Sequence, residues 1–424
     1  MPAPGPAESV VPRSPETPPA RTLSPFAALR HRNFRLFFFG QTTSLVGTWM
    51  QSVAQGWLVL QLTNSVFAVG LVSALSSLPV LLFSLPGGVI ADRANKHRII
   101  LVCQALMLVE ALALTVLTAT GRVQAWHVGV LAAFVGCLSA IEIPARQSFI
   151  VDLVGKQDLT NAIALNSSAY NVARIVGPAV AGVLIAQAGM AVCFGLNALS
   201  YFAVLVALLS MRLPPFRPPL LHGAVLEHFR EGIRYARSDR RIWALIVMTA
   251  VFGIFGFPFM VLLPVFARDV LHVGSEGLGV MSACVGIGAV LSALGLAIYS
   301  PRIRRGTVVK YSGPAFGLCV AAFAFSRWYP LALLMLALSG ATMVLNNAAT
   351  NTLLQETVPD ALRGRVMSFW TFVFVGFAPI GSFQSGLLGE SIGAPLAVAL
   401  GGAISSVASW WIWKYYAPEV ASIR

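Results

Sequence analysis

Twelve long apolar segments dominate this sequence, and they leave the chain few ways to fold. A helix needs about 20 apolar residues to cross the hydrocarbon of a bilayer. Segments of that kind run over 35–61, 66–90, 99–119, 126–146, 162–187 and 191–211, and again over 242–266, 275–299, 310–326, 331–352, 366–389 and 394–416. In lipid the backbone has to satisfy its own hydrogen bonds, so each segment reads as a helix. Of the 424 residues 57% are hydrophobic and 11% charged, against about 25% charged in an average soluble domain. No soluble fold of this length buries so much apolar surface. The expectation is an all-α integral membrane protein with twelve transmembrane helices.

The segments group as six, a polar stretch, and six. The organisation read from this is a disordered tail over 1–25, which holds eight Pro, then a six-helix bundle over 26–211. A linker over 212–241, a second bundle over 242–416 and a short tail over 417–424 complete it. The formal net charge is +13, but the cations sit between apolar runs rather than on one polar face, which argues against nucleic acid. The N-terminal tail, the loops after helices 2, 4, 6, 8 and 10, and the C-terminus hold 25 of the 29 Lys and Arg. Arg122, Arg268 and Arg327 fall on the opposite side, and Arg174 lies inside a segment. By the positive-inside rule both termini are cytoplasmic in a multi-pass protein of a bacterial-type inner membrane. In the linker, Leu226, Phe229 and Ile233 recur at helical spacing among Arg230, Arg234, Arg237, Arg240 and Arg241, which predicts an amphipathic helix on anionic membrane lipid.

The two groups of six repeat each other. At an offset of 204 residues Asp152 meets Glu356, Val154 meets Val358, Gly177 meets Gly381, Gly182 meets Gly386 and Gly189 meets Gly393. Parallel duplication of two such units is a known transporter plan.

After the second segment comes Gly88-Val89-Ile90-Ala91-Asp92-Arg93-Ala94-Asn95-Lys96-His97-Arg98. It resembles the loop 2–3 signature of the major facilitator superfamily, G-x-L-a-D-r-x-G-r-k, with His97 in place of a base and Asn95 in place of the second Gly, where a left-handed Asn is expected to keep the turn. The resemblance implies a gating loop made by Gly88, Asp92, Arg93, Lys96 and Arg98, in which Gly88 admits a close helix approach and the charges latch one conformation. On the fifth segment, Ala173-Arg174-Ile175-Val176-Gly177-Pro178-Ala179-Val180-Ala181-Gly182 is similar to that superfamily's antiporter signature, g-x-x-x-G-P-x-x-G-G. Gly177, Pro178 and Gly182 would bend the helix and open a packing groove. Three further runs resemble the branch that includes enterobactin exporters and related siderophore or drug exporters: Ile143-Pro144-Ala145-Arg146-Gln147-Ser148-Phe149, Glu231-Gly232-Ile233-Arg234-Tyr235, and Val358 to Val366. The fold implied is two pseudo-symmetric six-helix bundles, and the activity implied is proton-coupled export of small amphiphilic molecules, by a monomer.

Ionisable residues inside a span cost about 2.5–3.5 kcal/mol on insertion scales, so each calls for a reason. Glu110, Glu142 and Arg174 stand out as proton- or substrate-coupling groups. Glu142 is expected to interact with Arg174, directly or through water, since helices 4 and 5 are neighbours. Gln51, Gln55, Asn166, Tyr170, Asn346 and Asn347 are candidates to line a cavity, and Trp49 and Trp57 could stack on an aromatic cargo. The five Cys each lie in an apolar segment, which predicts neither disulfide nor metal site. No Walker A motif, Ser/His/Asp arrangement or metal-ligand spacing occurs, so no enzyme and no cofactor are expected. An importer or lysophospholipid flippase on the same scaffold, or a non-transporting membrane receptor, are the alternatives.

Overall fold

The computed structural model describes residues 26–214, 225–299 and 304–416, and every regular element among them is helical. The expected tails, 1–25 and 417–424, lie outside the described residues, as does 215–224 of the linker. In the first half α1 spans Arg32–Thr63, α2 Val66–Arg93, α3 Lys96–Ala119, α4 Ala125–Val154, α5 Leu159–Ala188 and α6 Met190–Leu209. Between the halves lies α7, Val225–Ser238. The second half holds α8 Arg240–Val270, α9 Gly274–Tyr299, α10 Arg305–Phe325, α11 Tyr329–Thr357, α12 Asp360–Ile392 and α13 Ala394–Tyr416. Among the described residues, eleven helices are long and apolar enough to cross a bilayer by themselves. The twelfth crossing is α1, 32 residues long, whose hydropathy is diluted by polar residues such as Gln41, Gln51 and Gln55.

Within the first half α1 packs on α5 and α6, α2 on α4, and α3 on α4 and α6. In the second, α10 packs on α11 and α13, and α9 on α11. The halves meet along two seams, α5 against α9 and α2 against α12. We call the end that carries α7 the linker face and the opposite end the far face.

The 204-residue repeat has a structural meaning at each matched position. A Cβ on Gly177 would stand 2.6 Å from the Trp49 Cβ of α1, and one on Gly381 would stand 2.5 Å from the Gly253 carbonyl of α8. So the fifth helix of each half crosses the first at a glycine. Gly182 then meets Gly279 of α9, and Gly386 meets Gly70 of α2, each with hypothetical Cβ contacts under 3.0 Å. Those two crossings are the seams between the halves. Gly189 and Gly393 end α5 and α12 at φ of 83° and 88°, a backbone that suits glycine. Asp152 accepts from Lys96 at 2.8 Å, and Glu356 pairs with Arg305. In each half the acid closing the fourth helix holds the base opening the third.

Three expectations change at this level. The linker helix does not lay its apolar face on lipid. Phe229 packs edge-on against Phe369 and Phe372, at centroid distances of 5.9 and 5.3 Å, and Arg365 pairs with Glu231 at 2.6 Å. Apolar side chains at helical spacing find protein here because α12 begins at Asp360, earlier than its apolar window, and so offers a partner. Arg230, Arg234 and Arg237 remain exposed, with Glu227 and Ser238; the Leu226 side chain is outside the described residues. Next, Gly88 makes no close helix approach: a Cβ there would meet nothing within 4 Å, whereas one on Gly87 would fall 2.3 Å from the Ala140 carbonyl of α4. Finally, Asn95 is not left-handed. It is extended, at φ −68°, and its side chain accepts from the Arg98 N–H as the N-cap of α3.

Candidate functional site

A cavity of about 350 Å³ lies between the halves. Its first-half wall comes largely from α1, whose Thr48, Gln51, Ser52 and Gln55 succeed one another along one stretch, with Ser73 and Ser76 of α2, Arg174 of α5 and Asn197 of α6. Its second-half wall is Met260, Val261, Leu263 and Pro264 of α8 and Leu278 and Ser282 of α9. The first-half wall also carries Trp49, Val53, Val59, Val69 and Val72, so it is mixed, but it holds nearly all of the polar groups of the cavity, and the second-half wall is mostly apolar.

The shape of the second wall follows from a break in α8. The helix widens into a π turn at Phe252–Gly256, tightens to 3₁₀ at Phe257–Met260, and widens again at Phe266–Val270. Pro258 and Pro264 remove backbone donors, and Gly253 and Gly256 weaken the helix before them. Interrupted spanning helices gather at transporter binding sites because their irregular backbone is sheltered by protein or faces the cavity. This Gly/Pro pattern is a signal in the sequence that the reading above does not use.

Behind the polar wall runs a buried chain of hydrogen bonds. Gln51 donates through Nε2 to both carboxylate oxygens of Glu110, at 3.2 and 3.1 Å. Its Oε1 accepts from Asn197 Nδ2 at 2.7 Å, and Ser200 donates to Asn197 Oδ1 at 3.0 Å. Glu110 itself is buried and does not line the cavity. Gln51 stands between them, one side chain that touches both the cavity and the carboxylate.

Glu142 and Arg174 make no direct ion pair or hydrogen bond. Glu142 forms an ion pair with Arg146 one turn along α4, Nε to Oε1 3.2 Å, at an angle that makes no hydrogen bond. Arg174 lines the cavity with its Nε and Nη2 buried and without a hydrogen-bond partner. The other cavity candidates divide. Gln51 and Gln55 line it. Tyr170 and Asn166 do not, but they continue the Arg174 face of α5 at one and two turns toward the linker face, with Tyr170 edge-on to Trp49 at 5.7 Å. Asn346 is buried inside the second half, donating to Ser312 at 3.2 Å, and Asn347 lies outside the lining. Trp49 lines the cavity, while Trp57 is buried in the core.

At the far face the second half grips the α1–α2 turn by both of its helix ends. Arg268 donates through Nη1 to the Leu60 carbonyl at 3.0 Å and to Asn64 Oδ1 at 2.9 Å, at the C-terminus of α1. Asp269 holds the same guanidinium through Nε and Nη2, at 2.6 and 3.0 Å. Glu390 accepts from the Phe67 N–H at 2.9 Å and from the Ser65 hydroxyl at 3.0 Å, at the N-terminus of α2. Cation on carbonyl end and anion on amide end is the arrangement that helix dipoles favour. At the linker face the ion pairs Lys96–Asp152, Arg305–Glu356 and Arg365–Glu231 and the His31–Asp158 hydrogen bond each stay within one half or its linker. Asp92 is exposed and has no ion-pair partner among the described residues.

Comparison with known proteins agrees with this architecture. A family model described as transmembrane secretion effector matches residues 23–422. The enterobactin exporter EntS of Shigella flexneri is 26% identical over 380 residues, covering 89% of this chain and 87% of that one. That of Citrobacter koseri is also 26% identical, with 89% and 88% covered. Among solved structures, a point mutant of the nucleoside transporter NupG superposes with a TM-score of 0.73 at 13% identity, covering 92% of this chain and 99% of its own. A bacterial homologue of the human lysosomal transporter Spinster gives 0.69 at 15%, covering 92% and 96%. The protein is thus a multi-pass membrane transporter rather than an enzyme, and it belongs to the transmembrane secretion effector family, in the enterobactin-exporter-like branch of the major facilitator superfamily.

Proposed function

We propose that this transporter exports small amphiphilic molecules of siderophore or drug type in exchange for protons, by alternating access of its two halves, with both termini in the cytoplasm. The observation that carries the reading is the cavity, whose polar groups gather on a mixed first-half wall while the second-half wall is mostly apolar. Such a site holds a molecule with one polar and one apolar side, and rocking the halves about it would expose it to either face in turn. The far-face grip on the α1–α2 turn supports an arrangement that closes this end while the linker face is free to open. Gly88, with open space where a Cβ would stand, and Asp92, without an ion-pair partner among the described residues, are then groups for the opposite arrangement, in which the linker ends of α2 and α12 close together. Arg93 and Arg98 would hold that loop at the anionic membrane surface, and Lys96, bound to Asp152, fixes its end.

Glu110 is the group we assign to proton coupling. It is buried beside a neutral amide, with no cation against it among the described residues, and Gln51 links it to whatever occupies the cavity. A cargo that draws the Gln51 amide toward itself takes hydrogen bonds from Glu110, so cargo and carboxylate report on each other. The test is substrate-dependent proton movement in sealed proteoliposomes, with Glu110→Gln and Glu142→Gln as variants. Loss of coupling in the first with retention in the second is the expected result; coupling unchanged in Glu110→Gln removes this assignment.

A further inference from the structure

The charge around the cavity is one-sided. Arg174 is the only Arg, Lys, Asp or Glu among the lining residues. The two buried carboxylates of the same half are engaged elsewhere, Glu110 by Gln51 and Glu142 by Arg146. Two of the three guanidinium nitrogens of Arg174 are buried without a hydrogen-bond partner. A guanidinium in a low-dielectric, largely apolar enclosure attracts an anion far more strongly than it would in water, and its fork of donors matches the two oxygens of a carboxylate or related group. The second half contributes Met260, Val261, Leu263 and Leu278 to the same cavity, an apolar surface.

We propose that Arg174 is the anchoring residue for an anionic group on the cargo, so that the protein carries small acidic amphiphiles, the acid on Arg174 and the apolar body against the broken helix α8. This rests on the exporter reading above and narrows its cargo. Gln51, Gln55 and the serines of the polar wall complete the hydrogen bonding around the acid, and the cavity volume of about 350 Å³ fits one small molecule at the lower end of the usual range for such sites, about 300–1,000 Å³.

The experiment uses the purified full-length protein and three probes of one size: radiolabelled 2-naphthoate as the anion, methyl 2-naphthoate as the neutral form and 2-naphthylmethylamine as the cation. Saturable binding of the acid should exceed that of ester and amine by at least about tenfold, the worth of one charge-assisted hydrogen bond. Arg174→Gln should bring the acid down to the affinity of the ester while leaving ester binding within about twofold, which also shows that the variant is folded. Arg174→Lys should keep part of the preference. An acid that binds no better than the ester, no saturable binding of the acid, or an acid preference that survives Arg174→Gln would each overturn the proposal. Flux of the same probes in vesicles separates it from the exporter reading. Movement of ester or amine without acid preference sinks only the cargo class, whereas no movement of any probe, with acid binding intact, sinks export and leaves the anion site standing.

Discussion

Arg174 sits in the middle of a spanning helix, in a wall otherwise free of charge, with nitrogens that no protein group satisfies. Nothing in the fold repays the insertion cost of such a group, so removing the charge should stabilise the protein. Arg174→Met is expected to add about 1–3 kcal/mol to stability, seen as a higher thermal midpoint of the purified protein, together with loss of transport. A lower midpoint would mean that the residue serves packing instead. At this scale the sequence shows where the unusual residues are, because Glu110, Glu142 and Arg174 each interrupt an apolar run. It does not show their partners, which depend on helix rotation and on helix ends. The apolar window of the fourth segment stops at residue 146, placing Arg146 among loop charges, but α4 continues to Val154. Arg146 therefore lies one turn from Glu142 and takes the role that Arg174 was expected to fill. Gln51 is legible only as a polar residue in a helix; that it joins the cavity to Glu110 needs the neighbouring positions of α1, α3 and α6.

Adjacent glycines in α2 have opposite roles, and this gives a sharp test at the level of the element. Gly87→Ala would drive a Cβ into the Ala140 carbonyl at 2.3 Å, whereas Gly88→Ala meets open space. The first should destabilise by about 1–3 kcal/mol, and the second should leave folding within about 0.5 kcal/mol while slowing transport if Gly88 belongs to the opposite arrangement. Equal thermal midpoints for the two variants would contradict the packing described here. Helix number and order are legible because apolar length is a strong signal. The repeat is legible too, since Gly177 and Gly381, Gly182 and Gly386, and Gly189 and Gly393 perform matching tasks in the two halves. The break in α8 goes unnoticed because hydropathy averages over it, although Gly253, Gly256, Pro258 and Pro264 mark it. The docking of α7 is missed because amphipathic spacing alone does not distinguish a lipid surface from the side of another helix.

For the whole molecule the decisive feature is the unequal fastening of its two ends. Glu390 and Arg268 tie the halves together at the far face through the ends of α1 and α2. Glu390→Gln weakens one of these ties and should raise far-side labelling of a cysteine placed at Ser282 in the cavity wall by a membrane-impermeant thiol reagent, in a background without the native cysteines. A several-fold faster rate, corresponding to about 1 kcal/mol of lost closure, is expected; an unchanged rate would mean that the grip does not hold the far face shut. The measurement that tests the central claim most directly is cargo-dependent proton movement. Purified protein is sealed in proteoliposomes with an internal pH-sensitive dye, a proton gradient is imposed, and acidic amphiphiles and siderophores are added. Proton flux opposite to cargo flux, abolished by Glu110→Gln and by Arg174→Gln in folded protein, is the predicted result. Cargo movement with no accompanying proton flux, or coupled flux that survives both substitutions, would contradict the account.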